Sequence, residues 1–183
     1  MLFQTSRLQL LRPTYNDIPH FISIYCSEEM MAFLGSPFSE EQASSRIDTW
    51  NRQWDELGWG GGVIVNKVTK AFIGTAKLIF TELPDYKGSC EIGYMVLPQY
   101  QGNGFASEIA VGMVEFLFQY VSAKQIVANV HPNNQSSNRV LEKLGFLDQG
   151  LKNYKQSEFI GYEQQRIWLL TYKKYEDYFR SNF

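Results

Sequence analysis

The sequence predicts one α/β domain in which a mixed sheet packs against helices. The apolar periodicity gives the order strand, two helices, three strands, helix, strand, helix and two strands, which is not the regular alternation of a βαβ protein. The chain of 183 residues is 44% hydrophobic and 20% charged, as folded domains are. It contains no internal repeat, low-complexity tract or flexible linker. We therefore expect a single domain over residues 1–183.

The first strand and the first helix are predicted within residues 6–25. Residues 6–12 alternate with period two, which indicates a strand. Asp17 is a plausible helix N-cap and Pro19 suits a first turn, so a short amphipathic helix is expected to run through Tyr25.

A second helix and a pair of strands follow. Ser39 precedes an acidic first turn, which favours a helix to about Leu57 because carboxylates are stabilised at the positive end of the helix dipole. Glycines between residues 58 and 62 end that pattern. Two strands, at residues 63–67 and 72–80, are separated by a tight turn.

The second half of the chain contains the longest apolar helix. A strand at residues 90–97 is stopped by Pro98, and a glycine-rich turn leads into a helix over residues 105–121 whose broad apolar face suits packing on a sheet. Gly145 is expected to end a later helix as its C′ residue. The other predicted elements are a strand at 125–130, that helix at 135–144, strands at 146–151 and 165–172, and a terminal turn or helix within 173–183.

Charge and composition exclude several classes of function. Lys and Arg number 17 and Asp and Glu 19, a net charge of −2, whereas proteins that bind nucleic acid directly usually carry a basic excess. No stretch approaches about 18 apolar residues, and no signal-peptide pattern is present. With only Cys26, Cys90 and two histidines, we expect free thiols, a cytoplasmic location and no metal site.

The most informative stretch joins a strand to a helix through a glycine-rich turn at residues 91–106. Unpaired backbone N–H groups at a helix start form an anion site together with the helix dipole. Gly102 and Gly104 lack the Cβ atoms that would keep a pyrophosphate at a distance. The alternative is a tight turn with no ligand.

Three phosphate-binding patterns compete for this turn. A Walker A loop needs Lys and Ser or Thr after its second glycine, where Phe105 and Ala106 stand. A dinucleotide fingerprint needs a third glycine, where Ser107 stands. The third pattern, Q/R-x-x-G-x-G/A, is met from Gln99 onwards. It is similar to the coenzyme A pyrophosphate loop of the GNAT superfamily of N-acetyltransferases.

A second stretch resembles the other signature of that superfamily. Residues 134–146, with the sequence NQSSNRVLEKLGF, are similar to N-x-x-[AS]-x-x-V-L-E-K-x-G-F, the form in the ribosomal-protein-alanine acetyltransferase-like branch. Residues 5–12 and 91–94 look like that branch too. The two signatures stand in the right order and bracket one strand, so together they are far more specific than either alone.

The resemblance implies a fold, a co-substrate and a set of binding residues. It implies a largely antiparallel mixed sheet of about 6–7 strands, with helices on both faces and a splayed strand pair that forms the coenzyme A site. It implies acetyl-CoA as the co-substrate and direct transfer of its acetyl group to a primary amine. By position, the coenzyme-binding residues are Met95, Val96, Leu97, Gln101, Gly102, Asn103, Gly104, Phe105, Ala106, Asn134 and Ser137.

Two residues are candidates for proton transfer. Glu91 lies where the superfamily often places a carboxylate, so it is the candidate base, acting directly or through a water; the alternative is a solvated strand-end glutamate. Many members carry a tyrosine at the position of Leu141. Here Ser137 is the candidate hydrogen-bond donor to the departing thiolate, unless its hydroxyl pairs with the helix backbone. A covalent intermediate on Cys90 is disfavoured because no histidine lies close in sequence.

The sequence leaves the acceptor open. A protein N-terminus and a small-molecule amine both fit the resemblance, and so do a monomer and a homodimer. Trp59 is a candidate for an acceptor groove, and His131 is expected to be a loop residue. The alternative is a non-catalytic acyl-CoA-binding or regulatory domain, and the presence of Glu91, Asn134 and Ser137 argues against it. A nucleotide-binding module is disfavoured by the missing lysine and third glycine.

Overall fold

A computed structural model of the chain describes residues 1–154 and 164–182. Within these residues one sheet of eight strands runs in the order β1-β2-β3-β4-β5-β6-β8-β7. The strands are β1 Phe3–Gln4, β2 Leu8–Leu11, β3 Gly62–Asn66, β4 Phe72–Phe80, β5 Cys90–Val96, β6 Gln125–Val130, β7 Leu147–Asn153 and β8 Gln164–Thr171. Neighbouring strands are antiparallel, except that β5 and β6 are parallel.

This arrangement confirms the mixed, largely antiparallel sheet. The expected count of 6–7 strands is too low because β1 has two residues, too few to show a period of two.

The helices begin and end close to the predicted positions. They are α1 Ile18–Tyr25, α2 Glu28–Met31, α3 Glu40–Leu57, α4 Phe105–Gln119, α5 Gln135–Lys143 and α6 Tyr172–Asn182. The single turn of α2 was not predicted, because four residues carry no helical periodicity. Phe183, the last residue of the predicted terminal element, lies outside the described residues. No helix in the described ranges has both the length and the apolar character that a bilayer-spanning segment requires.

The caps of α1 and α3 differ from each other. Ser39 caps α3 as expected: its hydroxyl accepts from the Gln42 N–H at 3.2 Å, and the Gln42 side chain accepts from the Ser39 N–H at 2.8 Å. Asp17 is the N-cap residue of α1, as expected, but its side chain makes no capping hydrogen bond to that helix. Its carboxylate accepts from the N–H of Thr14 at 2.7 Å and closes a 3₁₀ turn, which runs directly into α1.

Helices cover both faces of the sheet, as expected. The core under α4 contains Ile109 and Met113 together with Ile64 of β3 and Ile92 of β5. The core under α1 and α3 contains Phe21, Ile47 and Trp50 together with Val63 of β3. Successive residues of a strand point to opposite faces, so Ile64 and its neighbour Val63 belong to different cores.

One carboxylate ties the start of α4 to the turn between β1 and β2. Glu108 accepts from the hydroxyl of Thr5 at 2.5 Å, from the backbone N–H of Arg7 at 2.7 Å and from its Nε at 2.6 Å. Partial burial alone would raise the pKa of Glu108, but these bonds hold it below its ordinary value. The Arg7 guanidinium also lies 4.5 Å above the Phe105 ring. The first turn of α4 is therefore fixed against the sheet.

Gly74→Ala is expected to destabilise the protein. A Cβ at position 74 of β4 would lie 1.9 Å from the carbonyl oxygen of Met95 on β5, and backbone atoms in a paired strand cannot move away as a side chain can. We expect the free energy of unfolding, measured by urea titration, to fall by about 3 kcal/mol.

Gly93→Ala is the matched control on the facing strand. Its Cβ would meet only the flexible Lys77 side chain, at 3.3 Å, so the expected loss is about 1 kcal/mol or less. Equal losses for the two variants would contradict the steric argument.

Candidate functional site

Strands β5 and β6 separate after two residue pairs. β5 is paired with β4 along its whole length, but with β6 only through Cys90 to Ile126 and Glu91 to Val127. Beyond Glu91, the edge of β5 that faces β6 has no strand partner in the described part of the chain. Such an edge offers alternating N–H and C=O groups to an extended polar chain. The splayed strand pair expected from the sequence is therefore present.

A glycine turn closes one end of this gap. Gly102 and Gly104 have φ angles of +75° and +77°, in the left-handed region that glycine adopts without strain. The side chain of Asn103 donates to the carbonyl oxygens of Tyr100 at 3.2 Å and Gln101 at 3.0 Å, which fixes the turn. No side chain caps the first N–H groups of α4, which follows directly. These N–H groups and the helix dipole make an anion site.

A cavity of about 1520 Å³ connects the gap, the turn and the start of α5. It brings together ten of the predicted site residues: Glu91, Met95, Val96, Gln101, Gly102, Gly104, Phe105, Ala106, Asn134 and Ser137. The other two, Leu97 and Asn103, do not line it. The N–H of Leu97 donates to Ile73 at 2.9 Å, on the β4 side of the strand. The Gln101 side chain donates to the carbonyl of Val96 at 2.9 Å, so it braces the strand end against the turn.

The start of α5 lies on the far side of the gap. Asn134 caps this helix, its Oδ1 accepting from the N–H of Ser137 at 3.1 Å and from the hydroxyl of Ser136 at 3.0 Å. The side-chain oxygen of Asn134 is committed to this cap, so its amide nitrogen is the group that can serve a ligand. The hydroxyls of Ser137 and Tyr94 lie 3.3 Å apart and bridge α5 to β5.

Glu91 is the last residue of β5 that pairs with β6, and its side chain is 5% exposed. Its carboxylate forms an ion pair with Lys77 of β4 and accepts from the hydroxyl of Thr81 at 2.6 Å. A buried carboxylate requires such partners, because its desolvation is otherwise too costly. The alternative interpretation of Glu91 as a solvated strand-end residue is therefore wrong.

Comparison with known proteins identifies the family. Residues 7–147 match the family model described as "Acetyltransferase (GNAT) domain", which spans well over half of the chain. The chain belongs to the GNAT acetyltransferase family. Members of this family use acetyl-CoA, so the chain is an acetyl-CoA-dependent N-acetyltransferase.

Relatives and solved structures agree with this assignment. The "Uncharacterized N-acetyltransferase YoaA" of Bacillus subtilis (strain 168) is 33% identical over 155 residues, which cover 82% of this chain and 85% of the relative. RimL, described as a ribosomal L7/L12 alpha-N-protein acetyltransferase in complex with coenzyme A, has a TM-score of 0.73 at 15% identity, covering 93% of this chain and 97% of RimL. Mutant forms of the spermidine/spermine N-acetyltransferase SpeG from Vibrio cholerae give 0.69 at 19% identity, covering 97% and 99%. The structural likenesses establish the fold.

In this acetyltransferase a tyrosine reaches the cavity from β5 and not from α5. Leu141, at the position where many members carry a tyrosine, is fully buried. Tyr94 instead lines the cavity with its hydroxyl beside that of Ser137. Burial raises the pKa of Tyr94 to about 12, although the hydrogen bond with Ser137 acts in the opposite direction. Tyr94 is therefore protonated at neutral pH and can donate a hydrogen bond.

Sequence reasoning missed Tyr94 because alternation along a strand does not tell which side chain meets a gap. That position depends on where β6 diverges, and the sequence of β5 holds no signal for it. The pair Lys77–Glu91 was missed for the same reason, since it joins two strands across their register.

The structure also places three other residues that the sequence singled out. Cys90 is 2% exposed in the core, and burial raises its pKa to about 11, which argues against a thiolate nucleophile. Trp59 lies in the same core with its ring edge-on to Phe80, so it does not line an acceptor groove. His131 is a loop residue, as expected, whose Nδ1 accepts from the N–H of Asn133 at 3.2 Å.

Proposed function

We propose that this acetyltransferase moves the acetyl group of acetyl-CoA directly onto the primary amine of a small molecule or a protein N-terminus. The observation that carries the proposal is the open edge of β5, which shares one cavity with the glycine turn and with the Tyr94–Ser137 pair. The signature at residues 134–146 and the fold likeness to RimL favour the ribosomal-protein acetyltransferase branch. The fold is about equally similar to that of SpeG, a spermidine/spermine N-acetyltransferase, so the fold likeness does not identify the acceptor.

We place acetyl-CoA with its pyrophosphate on the glycine turn and its pantetheine arm along β5. Gly102, Gly104 and the first turn of α4 would supply backbone N–H groups to the pyrophosphate. Val96 would bind a pantetheine amide as an added strand does, whereas the backbone of Met95, two residues before Leu97, faces β4. A Cβ at Gly102 would meet no atom within 4 Å, so the turn leaves open space that a ligand group can enter.

We propose that Glu91 accepts the proton of the attacking amine through a water molecule. Each carboxylate oxygen already accepts one bond, from Lys77 or Thr81, but has a second lone pair. Lys77 lines the cavity and forms an ion pair with this carboxylate. A peptide α-amino group, with a pKa of about 8, needs less help from a base than a lysine side chain, with a pKa of about 10.4.

We propose that Tyr94 and Ser137 stabilise the departing thiolate. Glu91 and Tyr94 are three residues apart on one strand, so their side chains lie on opposite faces of the sheet. A thioester held in the gap would meet the base from one face and the proton donor from the other. The raised pKa of Tyr94 keeps its hydroxyl protonated, so this hydroxyl would donate a hydrogen bond to the thiolate. Ser137 would hold the hydroxyl in position.

We also propose that residues 1–183 form a single domain that acts in the cytoplasm, as a monomer or a homodimer, without binding nucleic acid. The free thiols of Cys26 and Cys90 favour a reducing compartment, and the net charge of −2 disfavours a nucleic-acid partner.

Gly104→Glu is expected to weaken acetyl-CoA binding because it places a carboxylate where the pyrophosphate should lie. Calorimetric titration should show a Kd at least about 100-fold higher than that of the unaltered protein. Gly88→Glu is the matched control: φ is +82°, and a Cβ there meets nothing within 4 Å, so the backbone strain and the added charge are the same but lie outside the cavity. Equal effects of the two changes would place the coenzyme elsewhere.

Glu91→Gln is expected to lower kcat/KM for the amine by about 100-fold near pH 7, the lower end of general-base effects. The deficit should shrink as the pH rises through the pKa of the amine, because the neutral nucleophile then forms without a base. Glu82→Gln, which removes an exposed carboxylate from the same cavity, is the control. A pH profile of Glu91→Gln that overlays the unaltered profile would make Glu91 a structural partner of Lys77 only.

Tyr94→Phe is expected to lower kcat by about 10- to 100-fold through loss of the proton donor. The Kd of acetyl-CoA should change little, because the ring and its packing are kept. Tyr120→Phe, at a side chain that is 76% exposed, is the control. If kcat is unchanged and the Kd rises instead, the hydroxyl pair serves binding and not thiolate departure.

A further inference from the structure

Arg46 of α3 lines the cavity, and none of the described residues forms an ion pair with it. Its Nε is buried and has no hydrogen-bond partner. The ion pairs within residues 1–154 and 164–182 join other side chains, and Arg46 takes part in none of them. A buried polar group in this state is usually satisfied by a ligand or by water.

Aromatic rings hold the guanidinium in place without satisfying its N–H groups. Its central carbon lies 4.7 Å from the centroid of the Tyr25 ring, 5.6 Å from that of Phe38 and 5.6 Å from that of Trp50. Ring faces stabilise a cation by electrostatic attraction. A ring face is not a conventional hydrogen-bond acceptor, so the N–H donors of the guanidinium still need one. Together they form a planar fork that matches the two oxygens of a carboxylate or a phosphate.

The position of Arg46 separates it from the phosphates of the coenzyme. α3 packs on one face of the sheet and α4 on the other, and the glycine turn at the start of α4 is already an anion site. Arg46 lies beside Tyr25, whose hydroxyl is 3.2 Å from that of Thr75 on the α3 face of β4. An anion bound by Arg46 therefore belongs to the acceptor.

The other charged residues around the cavity do not bind an anion in place of Arg46. Lys77 is paired with Glu91. Glu29 and Glu82 line the cavity but are exposed, so water and salt screen their charges.

The same cavity has an apolar wall, which the segment 33–38 forms through Phe33, Leu34, Pro37 and Phe38.

We propose that Arg46 binds an oxyanion, a carboxylate or a phosphate, carried by the acceptor, which is then a small amine with an anionic group and an apolar body. This assignment rests on the proposed acetyl transfer and narrows its substrate class. Polyamines are disfavoured, because a second ammonium group would be repelled by an unpaired guanidinium.

The test measures coenzyme A release with paired acceptors. The probes are leucine, methionine and phenylalanine against their amides, O-phosphoethanolamine against ethanolamine, and spermidine. The proteins are the unaltered chain, Arg46→Gln, Arg46→Lys and Arg52→Gln. Arg52 is exposed on the same helix and outside the cavity, so its variant makes the same charge change in solvent. Comparing variants cancels the difference in amine reactivity between an acid and its amide.

We expect the ratio of kcat/KM for acid over amide, or for phosphate over alcohol, to fall about 10- to 100-fold in Arg46→Gln. Arg46→Lys should recover part of the ratio, since it keeps the charge but loses the fork, and Arg52→Gln should not change it. The pair that responds tells carboxylate from phosphate. Calorimetry with acetyl-CoA and thermal unfolding of each variant confirm that the donor site and the fold persist.

Several results would overturn the assignment. They are an unchanged ratio in Arg46→Gln, a preference for spermidine or for the neutral probes, turnover of none of the probes, and a Kd of acetyl-CoA that rises more than about tenfold in Arg46→Gln. In the last case Arg46 anchors the donor. Failure of the unaltered protein to bind acetyl-CoA would instead refute the proposed function itself.

Discussion

The separation of β5 from β6 is the constraint on which the site depends. β5 is held along one edge by seven residue pairs with β4, while its other edge has only two pairs with β6. α4 connects the two strands, so the start of α4 faces one end of the opening. α5 follows β6, and its start faces the opening from the other side. An anion site, an unpaired strand edge and a capped helix end therefore meet in one cavity.

The sheet divides the site into two chemically different sides. One side carries the partly buried ion pair of Lys77 and Glu91, and also Arg46. The other side carries the hydroxyls of Tyr94 and Ser137. Charged groups thus lie where a polar acceptor would enter, and neutral donors lie where a thiolate would form. This separation keeps a negative carboxylate away from a negative leaving group.

Local signals were enough for much of the fold. The helix start after Ser39, the strand stop at Pro98 and the alternation within residues 6–12 each depend on neighbouring residues, and the structure confirms them. Predictions failed where an element is too short to repeat its period, as with β1 and α2. Asp17 stands at the predicted N-cap position of α1, but its carboxylate bonds within the preceding 3₁₀ turn and not to the helix.

The candidate site divides in the same way. The glycine turn and the start of α5 are continuous stretches of sequence, and most of the residues predicted there line the cavity. Sequence reasoning missed Tyr94, Lys77 and Arg46. Each is recognised as a site residue only by its contacts, or lack of them, with residues distant in sequence. Burial decided the remaining cases, since it placed Cys90 and Trp59 in the core.

The open edge of β5 has a further consequence for solubility. Unpaired strands at the border of a sheet recruit strands from other molecules and so promote aggregation. Here the unpaired edge lies in the interior of the sheet, because β6 is paired with β8 along all its length on the far side. A second sheet cannot dock into such a slot, whereas one slender chain can enter it. The geometry of the gap therefore permits strand-like recognition of a ligand and keeps the same edge away from other copies of the protein.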